Sequence, residues 1–226
     1  SGPSLNGNSV TSPEAGRALV AAQHAAGYDF LKIHPGLDAA RFEAVADAAR
    51  RLGMPFAGHV GEAVGVRAAL AAGQATIDHL DQYLPALLRD DSPLAGTSGQ
   101  FFGWNLADEV DEAKILELAA ATQAAGVWNV PTQSLIEQLL LAERTAEALL
   151  ARPEMRYVAA ATARQWAEAK ANVLANPAYR PELAARFVAV RRALIRALHE
   201  AGAGLLLGSD APQIFNVPGF SIHEEL

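Results

Sequence analysis

MPFAGHVGEAVGVRAALAAGQATIDH, residues 54–79, contains two short β-forming runs, Met54 to His59 and Ala75 to His79, around a helical run from Ala63 to Ala72. Gly73 ends that helix, the place where a residue free to take left-handed backbone is expected. Two strands joined by a helix pair in parallel, because the crossover returns the second strand in the direction of the first. Each strand closes on a histidine: His59 in PFAGHVGEA and His79 in ATIDHLDQY.

The same rhythm extends outward. Tyr28 to Ile33 is short and rich in β-formers, and Pro35-Gly36 follows as a turn signal. Asp38 is placed to cap a helix with Phe42, Val45, Ala49 and Leu52 on one face, closed by Gly53. Before it, SGPSLNGNSVTSPEAG reads as a loop inside a larger protein. Downstream, Leu84 to Asn105 is too irregular for a regular element and reads as a long loop that covers something. A helix is expected from about Ala107 to Ala125, then a strand from Val127 to Pro131. Ser134 to Ala201 is rich in Ala, Leu, Glu and Arg and is broken near Pro153 and Asn176-Pro177. It reads as a helical excursion rather than a second domain. Its last helix carries Leu183, Phe187, Val190, Leu194 and Leu198 at helical spacing, with Gly202 as its stop, and Gly204 to Gly208 is the final strand. Five strands alternating with helices define an α/β chain with parallel pairing. That pattern fits part of a doubly wound sheet and part of an eight-stranded barrel equally well.

Composition narrows the chemistry. With 226 residues, 51% of them hydrophobic and 19% charged, the chain is long enough for one substantial core. Its net charge of −7 argues against nucleic acid or an anionic membrane as the main partner. No apolar run reaches the ~18 residues a membrane span needs. A soluble protein is expected, and its compartment stays open between cytoplasm, periplasm and secretion. The absence of cysteine excludes disulfides and thiolate metal sites. A metal here must be held by His, Asp, Glu or a modified Lys.

Four strands end in a residue able to meet a metal: Lys32 in LKIHPG, His59, His79, and Asp210 in LLLGSDAP. A single histidine at a strand end is more often a hydrogen-bonded structural residue. Four such residues, each in its own strand unit, are harder to assign to accident. In a parallel barrel the C-terminal strand ends converge on one mouth, where active sites are built.

In these motifs the sequence resembles the amidohydrolase superfamily, and within it the branch of imidazolonepropionase-like enzymes and metal-dependent prolidases and dipeptidases. The resemblance runs from YDFLKIH through GHVGEAVGVRAALAAG, ATIDHL, GVWNVPTQ and LLLGSDAP to GFSIHEEL. It implies a TIM-like (β/α)8 barrel, of which residues 1–226 supply about five βα units plus the helical excursion at 134–201. It further implies that Lys32 is carboxylated and bridges two divalent metals, zinc above all. A carbamate offers anionic oxygens where an ammonium would repel cations. His59 and His79 would bind one metal, and Asp210 would be both ligand and catalytic base toward a metal-activated hydroxide. Substrates would be small molecules or short peptides with an amide bond. The superfamily's His-x-His pair occurs nowhere in the chain, and the first three strands are expected upstream of Ser1. Alone, the chain is then expected to be inactive and to self-associate through open sheet edges.

Three further residues are candidates for substrate contact. His34 shares a face with Lys32, Tyr83 follows His79, and His223 lies in SIHEEL, where Ser221 and Glu224 have the spacing of a capping box. Structural roles compete for each. His24 and His199 read as helix residues, and Arg186, Arg191, Arg192 and Arg196 as a solvated helix face. Two other readings compete with the hydrolase. One is an inactive barrel that binds or assembles; the other is a metal-free lyase using Lys32 as a Schiff base, which leaves His59, His79 and Asp210 without work.

Overall fold

Asp38 begins its helix as its sequence position requires, the side chain accepting the Arg41 backbone N–H at 2.8 Å. The structure, a computed structural model, describes residues 8–226, so residues 1–7 of the loop expected over 1–16 lie outside the described residues, while its last four, Pro13 to Gly16, instead open a helix capped by Ser12. Elements follow in the order α1 (Pro13–Ala25), β1 (Leu31–Ile33), α2 (Ala39–Arg51), β2 (Phe56–Gly58), α3 (Val66–Ala72), β3 (Thr76–Asp78) and α4 (Tyr83–Ala86). Then come α5 (Ala113–Ala124), β4 (Trp128–Val130), α6 (Gln133–Leu140), α7 (Ala146–Leu150), α8 (Ala160–Leu174), α9 (Pro181–Glu200) and β5 (Gly204–Leu205). Short 3-10 helices fill Phe101–Glu109, Pro153–Tyr157 and Ser221–Glu224.

The strands form one parallel sheet in the order β1-β2-β3-β4-β5. Its two faces differ. Leu31, Ile33, Phe56, Ile77 and Asn129 point into the core, whereas Lys32 and Trp128 are exposed on the other face. α9 supplies much of the cover, with Phe187, Leu194 and Leu198 fully buried. Truncating any one of them to alanine should cost about 2–5 kcal/mol. A doubly wound sheet needs both faces covered and a reversal of strand order. Among the described residues the strand order does not reverse, which is consistent with part of a barrel.

Several expected boundaries move. The strands are two or three residues long, so Lys32 sits in the middle of β1 rather than at its end, and His59 and His79 lie one residue past β2 and β3. The loop expected from Leu84 to Asn105 overlaps α4 and a 3-10 helix with a kink at Phe102 and Gly103. Ser221 does not cap: it lies inside its 3-10 turn, its hydroxyl on the Ser209 Oγ and the Val217 carbonyl. Between β4 and β5, the described residues hold helices and turns without a strand.

Candidate metal centre

The residues after β3 and β5 leave the strand direction through left-handed backbone, at His79 (φ 58°) and Asp210 (φ 55°). Thr132, two residues after β4, does the same (φ 49°). Aspartate and histidine tolerate this conformation better than most residues, yet three such turns around one site are costly and point to a fixed local purpose.

The turns gather the imidazoles. Ring centroids of His34 and His59 lie 5.2 Å apart, those of His59 and His79 4.8 Å apart, and Phe102 packs at 5.3 Å from His79. The irregular segment after α4 therefore does cover something: it lays Phe102 against the second histidine. Ligand-capable atoms of His59, Asp78 and His79 all fall within 4.8 Å of one another. Asp210 joins from β5, its Oδ2 3.9 Å from His79 Nε2, and Gln213 Nε2 donates to the same oxygen at 2.6 Å.

Hydrogen bonds fix which nitrogen of each ring is free. His59 Nδ1 lies 2.8 Å from the Asp81 carboxylate, which also accepts the Val60 N–H at 3.1 Å. His79 Nδ1 lies 2.7 Å from Thr132 Oγ1, whose own proton goes to the Pro131 carbonyl at 2.8 Å. The hydroxyl is thus left to accept, so His79 carries its proton on Nδ1. In both rings Nδ1 is the engaged nitrogen and Nε2 has no hydrogen-bond partner among the described residues, the arrangement metal-binding histidines adopt. Burial pushes the His79 pKa below the ordinary imidazole range, against the pull of Asp81. A neutral ring is the form that binds a cation.

Lys32 crosses the open face to form an ion pair with Asp78. Gly58 makes room for it: a Cβ there would come 2.9 Å from Lys32 Cδ and 2.6 Å from the Ile33 carbonyl. Lys32 Nζ is thus partnered by the Asp78 carboxylate. Beneath the site, Gln74 is fully buried, and its amide donates to the carbonyls of Gly58 (3.0 Å) and Thr76 (2.9 Å), joining β2 to β3.

Lys32, His34, His59, His79 and Asp210 are thus brought into one neighbourhood. Tyr83 is not: it is fully buried in α4, its hydroxyl 3.0 Å from Thr122 Oγ1, with burial raising its pKa to about 12. A substrate contact for Tyr83 is therefore replaced by a place in the core. His223 is exposed on the last 3-10 turn. Asp78 and Asp81 went unnoticed in the sequence, although ATIDHLDQY sets one on either side of His79. Arg191, expected on a solvated face, is fully buried. A cavity of about 1290 Å³ lies between α6, α9 and β5 and is lined by none of the clustered residues.

No protein-family model matches the chain, and no curated protein matches it. Among solved structures it is similar to bottromycin amidohydrolase, with 24% identity and a TM-score of 0.62 over 96% of this chain and 45% of that one. A Xaa-Pro dipeptidase with methionine bound in its active site gives 18% identity and a TM-score of 0.47, over 99% of this chain and 46% of that one. The chain spans less than half the length of either protein. The first likeness is one of fold, and it places the five-stranded α/β arrangement of this chain alongside that of an amidohydrolase structure.

Proposed function

We propose that this chain is part of a metal-dependent hydrolase of amide bonds, acting on small peptides or cyclic amides. Residues 1–226 would then belong to a single barrel domain, with 134–201 as its helical excursion. The observation that carries the reading is the pair His59 and His79, each with Nδ1 engaged and Nε2 free, beside Asp78 and Asp210. Two imidazoles with carboxylates suit a divalent cation such as zinc. Lys32 fits less simply. A carbamate on it would face the Asp78 carboxylate, and two anions there require a cation between them; without one, the ammonium pair is the stable form.

A bound cation would supply Lewis acidity and make water acidic enough to attack near neutral pH. The protein's own residues do the rest. Asp81 and Thr132 hold the two rings by their Nδ1 atoms. Gln213 fixes one oxygen of Asp210, leaving Oδ1 to accept the proton of the attacking water and pass it to the leaving amine. Phe102 keeps bulk water from the His79 face, and His34 is the substrate contact nearest the pair.

Zn²⁺ titration of this chain, of His59→Ala and of His79→Ala is the first test, with dipeptide hydrolysis assayed on this chain and on a chain extended upstream. Binding should weaken at least tenfold in either variant, with turnover confined to the extended chain. Equal Zn²⁺ affinity in all three would overturn the metal centre. The second reading, an inactive barrel that binds, draws on the Lys32–Asp78 pair, and it predicts no turnover in either chain.

A further inference from the structure

We propose that Arg191 is a positioning residue for His79, fixing from α9 the backbone turns that aim the ring. The proposal rests on His79 being a metal ligand, and it adds the device that holds it.

Arg191 is fully buried, and its guanidinium is spent entirely on neutral acceptors. Nη1 donates to the His79 carbonyl at 2.7 Å, Nη2 to the Pro131 carbonyl at 2.8 Å and Nε to Gln133 Oε1 at 2.9 Å. No carboxylate is among these partners. Burying a charge this way is unfavourable, and well-packed apolar residues commonly replace such groups without loss of stability. What the guanidinium offers that an apolar side chain does not is a rigid fork spanning two carbonyls at once.

Those two carbonyls lie at the ends of β3 and β4, where the sheet stops holding the chain. The last rung between the strands is His79 N–H to the Val130 carbonyl at 2.8 Å. Beyond it both chains turn through left-handed backbone, at His79 and at Thr132. Arg191 grips His79 by its own carbonyl. It also grips Pro131, whose carbonyl accepts the Thr132 hydroxyl, and that hydroxyl in turn accepts His79 Nδ1–H. One side chain thus holds His79 directly, and through the Pro131 carbonyl it bears on Thr132, the partner that sets the ring's tautomer and direction. Gln74 joins the strands below in a similar way, but its hydrogen bonds go to Gly58, His59 and Thr76 rather than to His79.

The test uses the metal-free chain first. Imidazole ¹⁵N–¹H spectra at fixed pH should show His79 protonated at Nδ1 in the wild type. In Arg191→Met, with helical circular dichroism retained, that resonance should shift or broaden while His59, held by Asp81, stays in place. Zn²⁺ affinity should fall roughly 10- to 100-fold, the usual consequence of losing a group that orients a ligand. Arg191→Lys keeps the charge but not the fork, so it should show the same shift in weaker form, and it decides the matter if the methionine variant does not fold. A folded variant with unchanged His79 resonances overturns the proposal, whatever its metal affinity. If the wild type binds no Zn²⁺ while the His79 resonance still moves in the variants, the metal reading fails and the positioning role stands.

Discussion

Replacing Gly58 with alanine separates backbone strain from crowding at the centre of this site. Gly58 has φ +115°, a region that residues with a Cβ rarely occupy, and forcing one there costs about 1–3 kcal/mol. The added Cβ would also stand 2.6 Å from the Ile33 carbonyl oxygen, an atom already engaged by the His59 N–H at 3.1 Å. That oxygen cannot retreat without loosening β1 from β2, so an overpacking cost of about 1–3 kcal/mol adds to the strain. The sum is about 4 kcal/mol, a large share of the 5–15 kcal/mol by which domains are usually stable. Alanine's smaller unfolded-state entropy returns about 0.4–1 kcal/mol of it. Gly73→Ala is the control: Gly73 also has positive φ, at +73°, but a Cβ there meets nothing within 4 Å. It should cost only the left-handed term, about 1–2 kcal/mol. Urea unfolding of both variants at equal m-value is the assay, and the two should differ by about 2–3 kcal/mol. A Gly58→Ala that is no less stable than Gly73→Ala would refute the crowding argument and the passage of Lys32 across β2.

Lys170, fully buried, donates to the carbonyls of Gln138 (2.6 Å), Leu139 (3.3 Å) and Leu141 (2.9 Å) at the end of α6, and burial lowers its pKa to about 8 despite the pull of Glu143. Between about pH 8 and the ordinary lysine value near 10.5 the unfolded chain holds this proton and the folded chain does not, so wild-type stability should rise across that window relative to Lys170→Met. A parallel pH dependence of the two proteins in urea melts would refute it. Tyr83→Phe removes the bond to Thr122 and should cost about 1 kcal/mol while leaving Zn²⁺ affinity unchanged; a tenfold loss of affinity would return Tyr83 to the site.

Much of the architecture was legible because it rests on periodicity and glycine. The α9 spacing of Leu183, Phe187, Val190, Leu194 and Leu198 is all buried, Asp38 caps its helix, and Gly53 and Gly73 end theirs with positive φ. The convergence of His59, His79 and Asp210 followed from parallel strands sharing one end. What escaped was tertiary. Lys32 reaches Asp78 across β2, where Gly58 has no Cβ to obstruct it, and no local pattern records that. Arg191 shares a helix with the exposed Arg192 and Arg196, and its neighbours in sequence do not distinguish it. Left-handed backbone at His79, Thr132 and Asp210 carries no glycine to announce it.

The open sheet face gives the molecule its own optical gauge. Of the three indoles, Trp104 and Trp166 are buried at 6% and 7% exposure, whereas Trp128 is 48% exposed and lies across Gly204 on the neighbouring strand. Red-edge emission should therefore come from a single ring on the face that carries Lys32 and Asp78. Whatever comes to cover that face will shift this component toward the blue and shield it from a soluble quencher, while the two buried indoles stay as they were.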